Sequence, residues 1–229
     1  MRLTVILPAL NEASSVGRAL DSAWQAGAAE VLVADGGSSD QTRAIASSRG
    51  AVVIESPPGR AIQQNAAAQQ ARGDVLLFLH ADNWLEGEIA ALIDSALARS
   101  DRVHGALLQR IDSHGWAYRL LERGNAERVR WLGLPYGDQA VFMRRDAFIA
   151  AGGFPEVPLM EDVLLMQRLR RRAWPILLPA IVHVSPRRWQ QNGVVRQTLR
   201  NWSLMAAFSV GVSPERLARH YRRHDYSGK

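Results

Sequence analysis

The sequence contains no cysteine, and Lys229 is the only lysine among its 229 residues. Without cysteine the protein cannot form disulfides, thiolate zinc sites or a cysteine nucleophile, so any bound metal must have oxygen or imidazole ligands. Its two longest apolar candidates, 173–184 and 204–212, are shorter than the ~20 residues of a membrane-spanning helix. No charged-then-apolar leader precedes the first strand pattern. These absences predict a cytoplasmic protein.

The positive charge is concentrated near the end of the chain. The formal net charge is +6, yet residues 1–186 hold 19 basic and 20 acidic residues, whereas residues 187–229 hold nine basic and two acidic ones. Such a segment suits anionic lipid, nucleic acid or a phosphorylated ligand, or simply solvent. Because no nucleic-acid-binding motif accompanies the charge, we do not expect nucleic acid as a partner. We predict a main domain at 1–205 and a basic helical tail at 206–229.

The first half of the chain alternates strand and helix patterns. Strands are predicted at 3–7, 31–34, 51–54 and 75–79, with helices at 12–24, 40–48 and 61–71 between them. Helices between successive strands imply right-handed crossovers and a parallel sheet covered on both faces. The fold class is therefore α/β, with a Rossmann-like, mostly parallel sheet. No Gly-x-Gly-x-x-Gly follows the first strand, so the usual dinucleotide cradle is missing.

The second half is less regular. Strands are predicted at 103–108, 140–143 and 176–184, and helices at 115–131, from 161 onward, at 194–210 and at 214–223. For the two C-terminal helices three alternatives stay open, namely burial against the sheet, a homodimer contact, or peripheral contact with a membrane surface.

Polar residues follow the buried strand 75–79. His80 and Asp82 are two positions apart, so in an extended chain both point into the crevice beyond the carboxyl end of the strand; a solvated turn is the alternative. Asp35 also ends a strand, and the two glycines after it allow a close backbone approach to a ligand, while Asp40 suits a helix cap. Acidic strand ends facing one crevice predict a site for a base, a ribose and a metal-bound phosphate.

Four motifs in a fixed order extend this prediction. They are Pro8-x-x-Asn11-Glu12, Asp35-Gly36-Gly37-Ser38-Ser39-Asp40-x-Thr42, the segment Arg60 to Asn65, and Phe78-Leu79-His80-Ala81-Asp82. Over roughly residues 1–205 the ordered set resembles the family 2 glycosyltransferases of the GT-A fold. A narrower similarity, in 136–139 and 185–189, is to the bacterial subgroup described as radical-SAM- or selenodomain-associated transferase 2.

The resemblance implies an inverting transfer of a sugar from a nucleotide-diphosphate sugar to an unknown hydroxyl acceptor, with Mn²⁺ or Mg²⁺ as cofactor. It makes Asp162 the general base, with Glu161 as second candidate, although both could merely complement a helix dipole. Asp82 matches the metal-binding aspartate, and His183 is a candidate second ligand, with a histidine that merely packs in its strand as the alternative. The donor-binding residues that it implies are Pro8, Leu10, Asn11, Glu12, Asp35, Arg60, Asn65, His80, Ala81, Asp138, Arg187, Arg188 and Trp189.

Some assignments and two other functional classes stay open. His80 stands where the resembled family more often has aspartate, so ribose contact and metal ligation are equal alternatives. A nucleotidyltransferase shares the layout and the carboxylates, but the glycine-rich basic loop typical of that class is missing near the first strand. A non-catalytic nucleotide-sugar-binding protein would not need Asp35, Asp82 and the Glu161-Asp162 pair together.

Overall fold

A computed structural model describes residues 1–98 and 101–220. The strands are β1 (Leu3–Ala9), β2 (Glu30–Asp35), β3 (Val52–Glu55), β4 (Val75–Phe78), β5 (Trp84–Glu86), β6 (His104–Ile111), β7 (Phe142–Arg144) and β8 (Ile176–Val184). The helices are α1 (Val16–Gln25), α2 (Thr42–Ser48), α3 (Arg60–Gln70), α4 (Ala90–Ala98), α5 (Trp116–Leu132), α6 (Arg145–Ala150), α7 (Glu161–Arg170), α8 (Arg187–Asn192), α9 (Val194–Ser209) and α10 (Pro214–His220), with a short 3-10 helix at Gly137–Gln139.

The described strands form one sheet in the order β3-β2-β1-β4-β7-β6-β8-β5. Strands β1 to β4, β6 and β8 share one direction, because the pairs β1/β2, β2/β3, β1/β4 and β6/β8 are parallel and β7 is antiparallel to both β4 and β6. The edge strand β5 runs antiparallel to β8. The prediction of a mostly parallel α/β sheet is confirmed.

The sheet is covered by apolar packing on both faces. Leu77 faces a core with Leu20 and Ile93 on one side, whereas Phe78 faces the other side, where its ring lies 5.4 Å from Phe148 and 4.9 Å from Phe154 between centroids. Alternate side chains of β4 therefore enter opposite cores. The unbroken apolar run correctly predicted a strand buried on both faces.

The first helix begins later than predicted, at Val16 instead of Glu12. The backbone amide of Glu12 donates to Oγ1 of Thr42 at 2.8 Å, and that of Ala13 donates to Oδ2 of Asp40 at 3.1 Å. These contacts hold the segment after β1 as a turn against the loop after β2. The pattern at 12–15 is typical of a helix, but contacts between distant parts of the chain favour a turn there.

The C-terminal helices pack on a third core. Leu204 and Phe208 of α9 pack against the cluster that contains Met160 and Val163, at the start of α7. Helix α9 runs across residue 205, and the boundary predicted there stays a prediction. The predicted last helix is observed from Pro214 to His220, and residues 221–223 of that prediction lie outside the described residues. In the described ranges, none of the helices combines the length and apolar character needed to cross a bilayer.

Candidate active site

The carboxyl ends of β1 and β2 are held together by Gln63 of α3. The two strands are in register up to Ala9 and Asp35. The buried Nε2 of Gln63 donates to the carbonyls of Ala9 and Ala34, at 2.8 Å each. Gln63 was not predicted as a site residue, and its only signal in the sequence is its place in the segment 60–65. Gln63 fixes the edge of the sheet where the first two loops begin.

Asp35 is a buried carboxylate at this edge. Its side chain is 1% exposed, and Oδ2 accepts hydrogen bonds from the backbone amides of Gly37 at 3.0 Å and Ser38 at 2.9 Å. Arg43 lies alongside, with Nε 3.8 Å from Oδ2. Oδ1 is buried without a hydrogen-bond partner among the described residues. A buried acceptor left unpaired favours a ligand that carries an N–H or O–H group.

A cavity of about 320 Å³ opens beside Asp35. Its lining residues are Asp35, Gly37, Arg43, Glu55 and Ser56. Arg43 also bonds the carbonyl of Ser38 at 3.2 Å and the carboxylate of Glu55 at 3.2 Å. The cavity therefore combines one buried acceptor with an arginine, which suits a planar, polar ring such as a nucleotide base.

Hydrogen bonds join the loop after β1 to the loop after β2. Asn11 adopts a left-handed φ of 56°, and its Oδ1 accepts the amide of Ser39 at 2.9 Å. The backbone amide of Asn11 donates to Oγ of Ser38 at 2.9 Å. Desolvation alone would raise the pKa of Asp40, but hydrogen bonds from Thr42 and Ala13 outweigh it and lower that pKa. The predicted donor residues Pro8, at the end of β1, and Leu10, just after it, border this paired loop.

Arg60 and Glu161 form an ion pair between the first residues of α3 and α7. Nε of Arg60 lies 2.5 Å from Oε1 of Glu161, whose side chain is almost fully buried. Oε2 of Glu161 is buried as well and has no hydrogen-bond partner in the part of the chain that is described. Met160, directly before Glu161, has a left-handed φ of 69°. The strained residue directs the chain so that Glu161 enters the interior and Asp162 follows at the surface of the site.

Gly137 brings His80 and Asp162 together. The amide of Gly137 donates to Oδ2 of Asp162 at 2.7 Å, and the amide of Val163 donates to Oδ1 of Asp162 at 2.8 Å. A Cβ added to Gly137 would lie 3.1 Å from Nε2 of His80 and 3.3 Å from Oδ2 of Asp162. No role was predicted for Gly137, although it directly precedes Asp138, a predicted contact residue.

The imidazole of His80 is uncharged at neutral pH. Desolvation, and then the positive charges of Arg60 and Arg188, lower the pKa of His80 to about 3. Nε2 is buried with no hydrogen-bond partner across residues 1–98 and 101–220. Ala81 is buried and Asp82 is half-buried directly after it. The turn after β4 thus presents a neutral nitrogen and, two residues later, a carboxylate.

Asp138 is held by a second polar network. Its Oδ2 accepts from Nε2 of Gln109 at 2.8 Å, and its Oδ1 is buried without a hydrogen-bond partner in the described ranges. Burial raises the pKa of Asp138 against the opposing effect of Arg128, and the charge of Asp162 raises it further. Arg128 stacks 3.3 Å above the ring of Tyr136. Gln109 and Arg128 were not predicted as site residues, because the strand and the helix that contain them carry no recognisable sequence motif.

Two predicted site residues are engaged elsewhere. Both amide atoms of Asn65 bond the backbone of Phe154, Nδ2 to the carbonyl at 2.8 Å and Oδ1 to the amide at 2.9 Å. Nε2 of His183 lies 2.7 Å from Oε2 of Glu86, and its ring stacks on Trp84 with centroids 4.9 Å apart. Asn65 therefore ties α3 to the turn at Phe154, and metal binding through Nε2 of His183 would require loss of the Glu86 contact.

The remaining predicted residues follow the end of β8. Arg187, Arg188 and Trp189 form the first turn of α8. Arg188 is near enough to His80 for its charge to affect that pKa. Trp189 has its Nε1 buried with no hydrogen-bond partner among the residues described. In those residues, no cluster of three or more His, Asp or Glu side chains could by itself hold a metal ion.

The structure thus gathers the predicted residues into two groups at the carboxyl edge of the sheet. One group borders the cavity after β2 and contains Asp35 with the paired loops at Asn11 and Glu12. In the other group, His80 and Asp162 meet at Gly137, directly before Asp138. Arg60 and Arg188 are near enough to lower the pKa of His80, and Glu161 is paired with Arg60.

This sheet, with its polar carboxyl edge, is the GT-A fold of nucleotide-sugar-dependent glycosyltransferases. The chain belongs to glycosyl transferase family 2, whose family model matches residues 4–154. No curated protein matches the chain significantly.

Several solved structures share the fold. Staphylococcus aureus TarS 1-349 in complex with UDP-GlcNAc has 20% sequence identity and a TM-score of 0.62, over 81% of this chain and 58% of that one. The mannosyltransferase PcManGT from Pyrobaculum calidifontis, in complex with GDP-Man and Mn²⁺, has 20% identity and a TM-score of 0.62, over 79% and 56% of the two chains. Glucosyl-3-phosphoglycerate synthase from Mycobacterium tuberculosis, in complex with Mn²⁺, UDP and glucosyl-3-phosphoglycerate, has 20% identity and a TM-score of 0.56, over 80% and 70%. The chain therefore spans less than two thirds of the first two of these structures.

Proposed function

We propose that the protein is an inverting glycosyltransferase, which moves a sugar from a nucleotide-diphosphate donor to a hydroxyl acceptor with the help of a divalent metal. The observation that carries the proposal is the meeting of Asp162 and His80 at Gly137, on the edge of the sheet that also carries Asp35. A carboxylate thereby lies next to the turn that follows β4, where the reacting ends of donor and acceptor would have to meet.

Asp35 is proposed to hold the nucleotide base. Its Oδ1 is a buried acceptor beside an open cavity, and Oδ2 is fixed by two backbone amides, so the carboxylate is rigid before a ligand binds. A pyrimidine imide or a purine amide edge supplies the N–H that this oxygen lacks. In support, structures with the same fold hold UDP-GlcNAc or GDP-Man.

Asp162 is proposed as the general base. The hydrogen bonds from Gly137 and Val163 orient both carboxylate oxygens, and each oxygen keeps a lone pair for an acceptor hydroxyl. In the proposed step the hydroxyl proton passes to Asp162 while the acceptor oxygen bonds the anomeric carbon. The bond from that carbon to the diphosphate breaks, and its electron pair leaves with the diphosphate. Attack opposite the leaving group inverts the configuration.

His80 and Asp82 fit a divalent metal that the donor helps to hold. The buried Nε2 of His80 has no partner among the described residues, and the ring is neutral, as a metal ligand must be. Two residues later, the carboxylate of Asp82 can supply an oxygen ligand. Because Mg²⁺ and similar ions commonly combine one or two protein ligands with substrate phosphates, a complete protein cage is unnecessary. The metal, when bound, would neutralise charge on the departing diphosphate.

A nucleotide-sugar panel tests the proposal. UDP-, GDP- and dTDP-sugars are added to the protein with Mn²⁺, with Mg²⁺ or with EDTA, and thermal unfolding is followed. One class of donor should raise the unfolding temperature, and EDTA should abolish the rise. Transfer from that donor to simple alcohol acceptors is then followed by NMR, which should show the anomeric configuration inverted. Absence of any donor-dependent shift would contradict the nucleotide-sugar site, and retained configuration would contradict the single displacement.

A further inference from the structure

One side of α9 exposes an apolar stripe to solvent. Its members recur at intervals of four, three and four residues, so they share one side of the helix. They are Val195, Leu199, Trp202 and Ala206, here called the α9 stripe. Val195 is 72% exposed and Trp202 is 65% exposed. Large apolar side chains aligned in water indicate a surface that another phase or molecule covers.

The opposite side of α9 is fixed to the body of the protein. Leu204, Met205 and Phe208 pack against the cluster that contains Met160 and Val163. This packing accounts for the inner apolar residues of α9 and leaves the outer stripe unexplained. Met160 and Val163 also flank Glu161 and Asp162, so α9 rests on the segment that carries the second group of site residues.

The charge around the stripe selects the kind of surface that would cover it. Residues 187–220 contain six arginines and a single acidic residue, Glu215. Arg196 is exposed on α9 itself, and Arg187 is exposed at the start of α8. A second copy of the chain would bring the same positive charge to the contact and would be repelled. An anionic bilayer offers negative headgroups to the arginines and an apolar boundary to Trp202 and Leu199.

We propose that the α9 stripe docks on an anionic membrane surface. Trp202 and Leu199 enter the boundary between headgroups and acyl chains, and the arginines of α8 and α9 contact the headgroups. The helix lies in the plane of the membrane surface, because its inner side stays packed on Met160 and Val163. The proposal does not depend on sugar transfer, since it concerns binding alone.

Cosedimentation with lipid vesicles tests the proposal. The full chain is mixed with vesicles of phosphatidylcholine alone or with one third phosphatidylglycerol, and bound protein is measured against lipid concentration. We expect binding to the anionic vesicles, weakened by 1 M NaCl because salt shortens the Debye length to about 3 Å. The double variant Leu199→Ser/Trp202→Ser should bind about tenfold or more weakly, because each replaced side chain loses apolar burial in the lipid.

Trp131→Ser is the matched control. Trp131 is 76% exposed on α5. The carbonyl of the preceding residue, Arg130, accepts a hydrogen bond from Trp174, which lies just before the start of β8. Helix α9, in contrast, follows the end of β8. Its replacement should leave vesicle binding unchanged. Arg196→Glu should weaken binding to the anionic vesicles without altering the thermal unfolding temperature. Equal binding to neutral and anionic vesicles, unchanged binding of the double variant, or a homodimer in sedimentation velocity that the double variant abolishes would overturn the proposal.

Discussion

The guanidinium of Arg60, which is 28% exposed, and the buried carboxylate of Glu161 form an ion pair, with Nε and Oε1 2.5 Å apart. The pair joins the amino ends of α3 and α7 and fixes the backbone at the position before Asp162. A carboxylate that is buried and bound to a guanidinium is poorly placed to take a proton from an acceptor. The contact therefore supports Asp162, and not Glu161, as the proposed base, and it gives Glu161 a part in holding the site together.

We expect Arg60→Gln to lower the free energy of unfolding by about 3 kcal/mol, because removing the guanidinium leaves the buried carboxylate of Glu161 uncompensated. Urea denaturation measures the loss. The control Asp21→Asn breaks the exposed pair with Arg49 and should cost no more than about 1 kcal/mol. Equal losses in the two variants would show that burial adds nothing to the Arg60 contact.

Asp162→Asn should abolish transfer and spare donor binding. Loss of a general base typically lowers kcat by about 10²- to 10⁴-fold, whereas the amide oxygen can still accept the hydrogen bond from Gly137. Single-turnover rates and donor titrations separate the two effects. Asp146→Asn is the control, because Asp146 also accepts the amide of the next residue in the first turn of a helix, at 2.7 Å. Turnover retained in Asp162→Asn would remove this residue from the mechanism.

Gly137→Ala tests whether His80 and Asp162 must lie close to this backbone. The added methyl group would stand 3.1 Å from Nε2 of His80 and 3.3 Å from Oδ2 of Asp162, so both side chains must shift by a few tenths of an ångström. We expect kcat to fall about tenfold or more, since small misplacements of reacting groups are costly. Gly124→Ala in α5 meets no atom within 4 Å and should instead stabilise the helix by about 0.5–1 kcal/mol.

Asp82→Asn should weaken metal-dependent donor binding. An amide oxygen carries no formal charge, so it binds a hard divalent cation less strongly than a carboxylate does. Calorimetric titration of the donor with Mn²⁺ should show a lower affinity than in the wild type, and the difference should vanish in EDTA. Unchanged affinity with Mn²⁺ would exclude Asp82 from the metal site.

Local patterns predicted much of the sheet and some of the site. The apolar run at 75–79 predicted β4, and the position of Asp35 at a strand end predicted a polar group at the carboxyl edge of the sheet. The three-residue strand β5 was not predicted, because Trp84 to Glu86 is too short to show an alternation. Its pairing with β8 comes from the rest of the fold.

Contacts between distant segments could not be predicted in the same way. Nothing near Arg60 in the sequence indicates that Glu161 will neutralise it, and nothing near Asn65 indicates that its amide will bond Phe154. The start of α1 was wrong for a related reason, since Thr42 and Asp40 accept hydrogen bonds from the amides of Glu12 and Ala13 and hold this segment as a turn against the loop after β2. These features depend on how α2, α3 and α7 pack on the sheet.

His104, which lies away from the proposed site, contributes a pH-dependent part of the stability of the fold. It is fully buried in β6, and neither ring nitrogen has a hydrogen-bond partner among the described residues. Burial lowers the pKa of His104 to about 4, from an ordinary value of 6.5. Between these values the unfolded chain binds a proton that the folded chain does not, so stability falls as the pH falls from about 6.5 to 4.

The loss from this one group should approach about 3 kcal/mol on going from pH 7 to pH 4. His104→Leu removes the proton-binding group and should flatten that dependence, leaving the contribution of His80, whose lowered pKa acts in the same direction. Urea unfolding at several pH values gives the slopes to be compared. His114→Leu, at an exposed position before α5, serves as control and should keep the wild-type slope. If the stability of His104→Leu depends on pH as steeply as that of the wild type, proton binding by His104 in the unfolded chain does not cause the loss of stability at low pH.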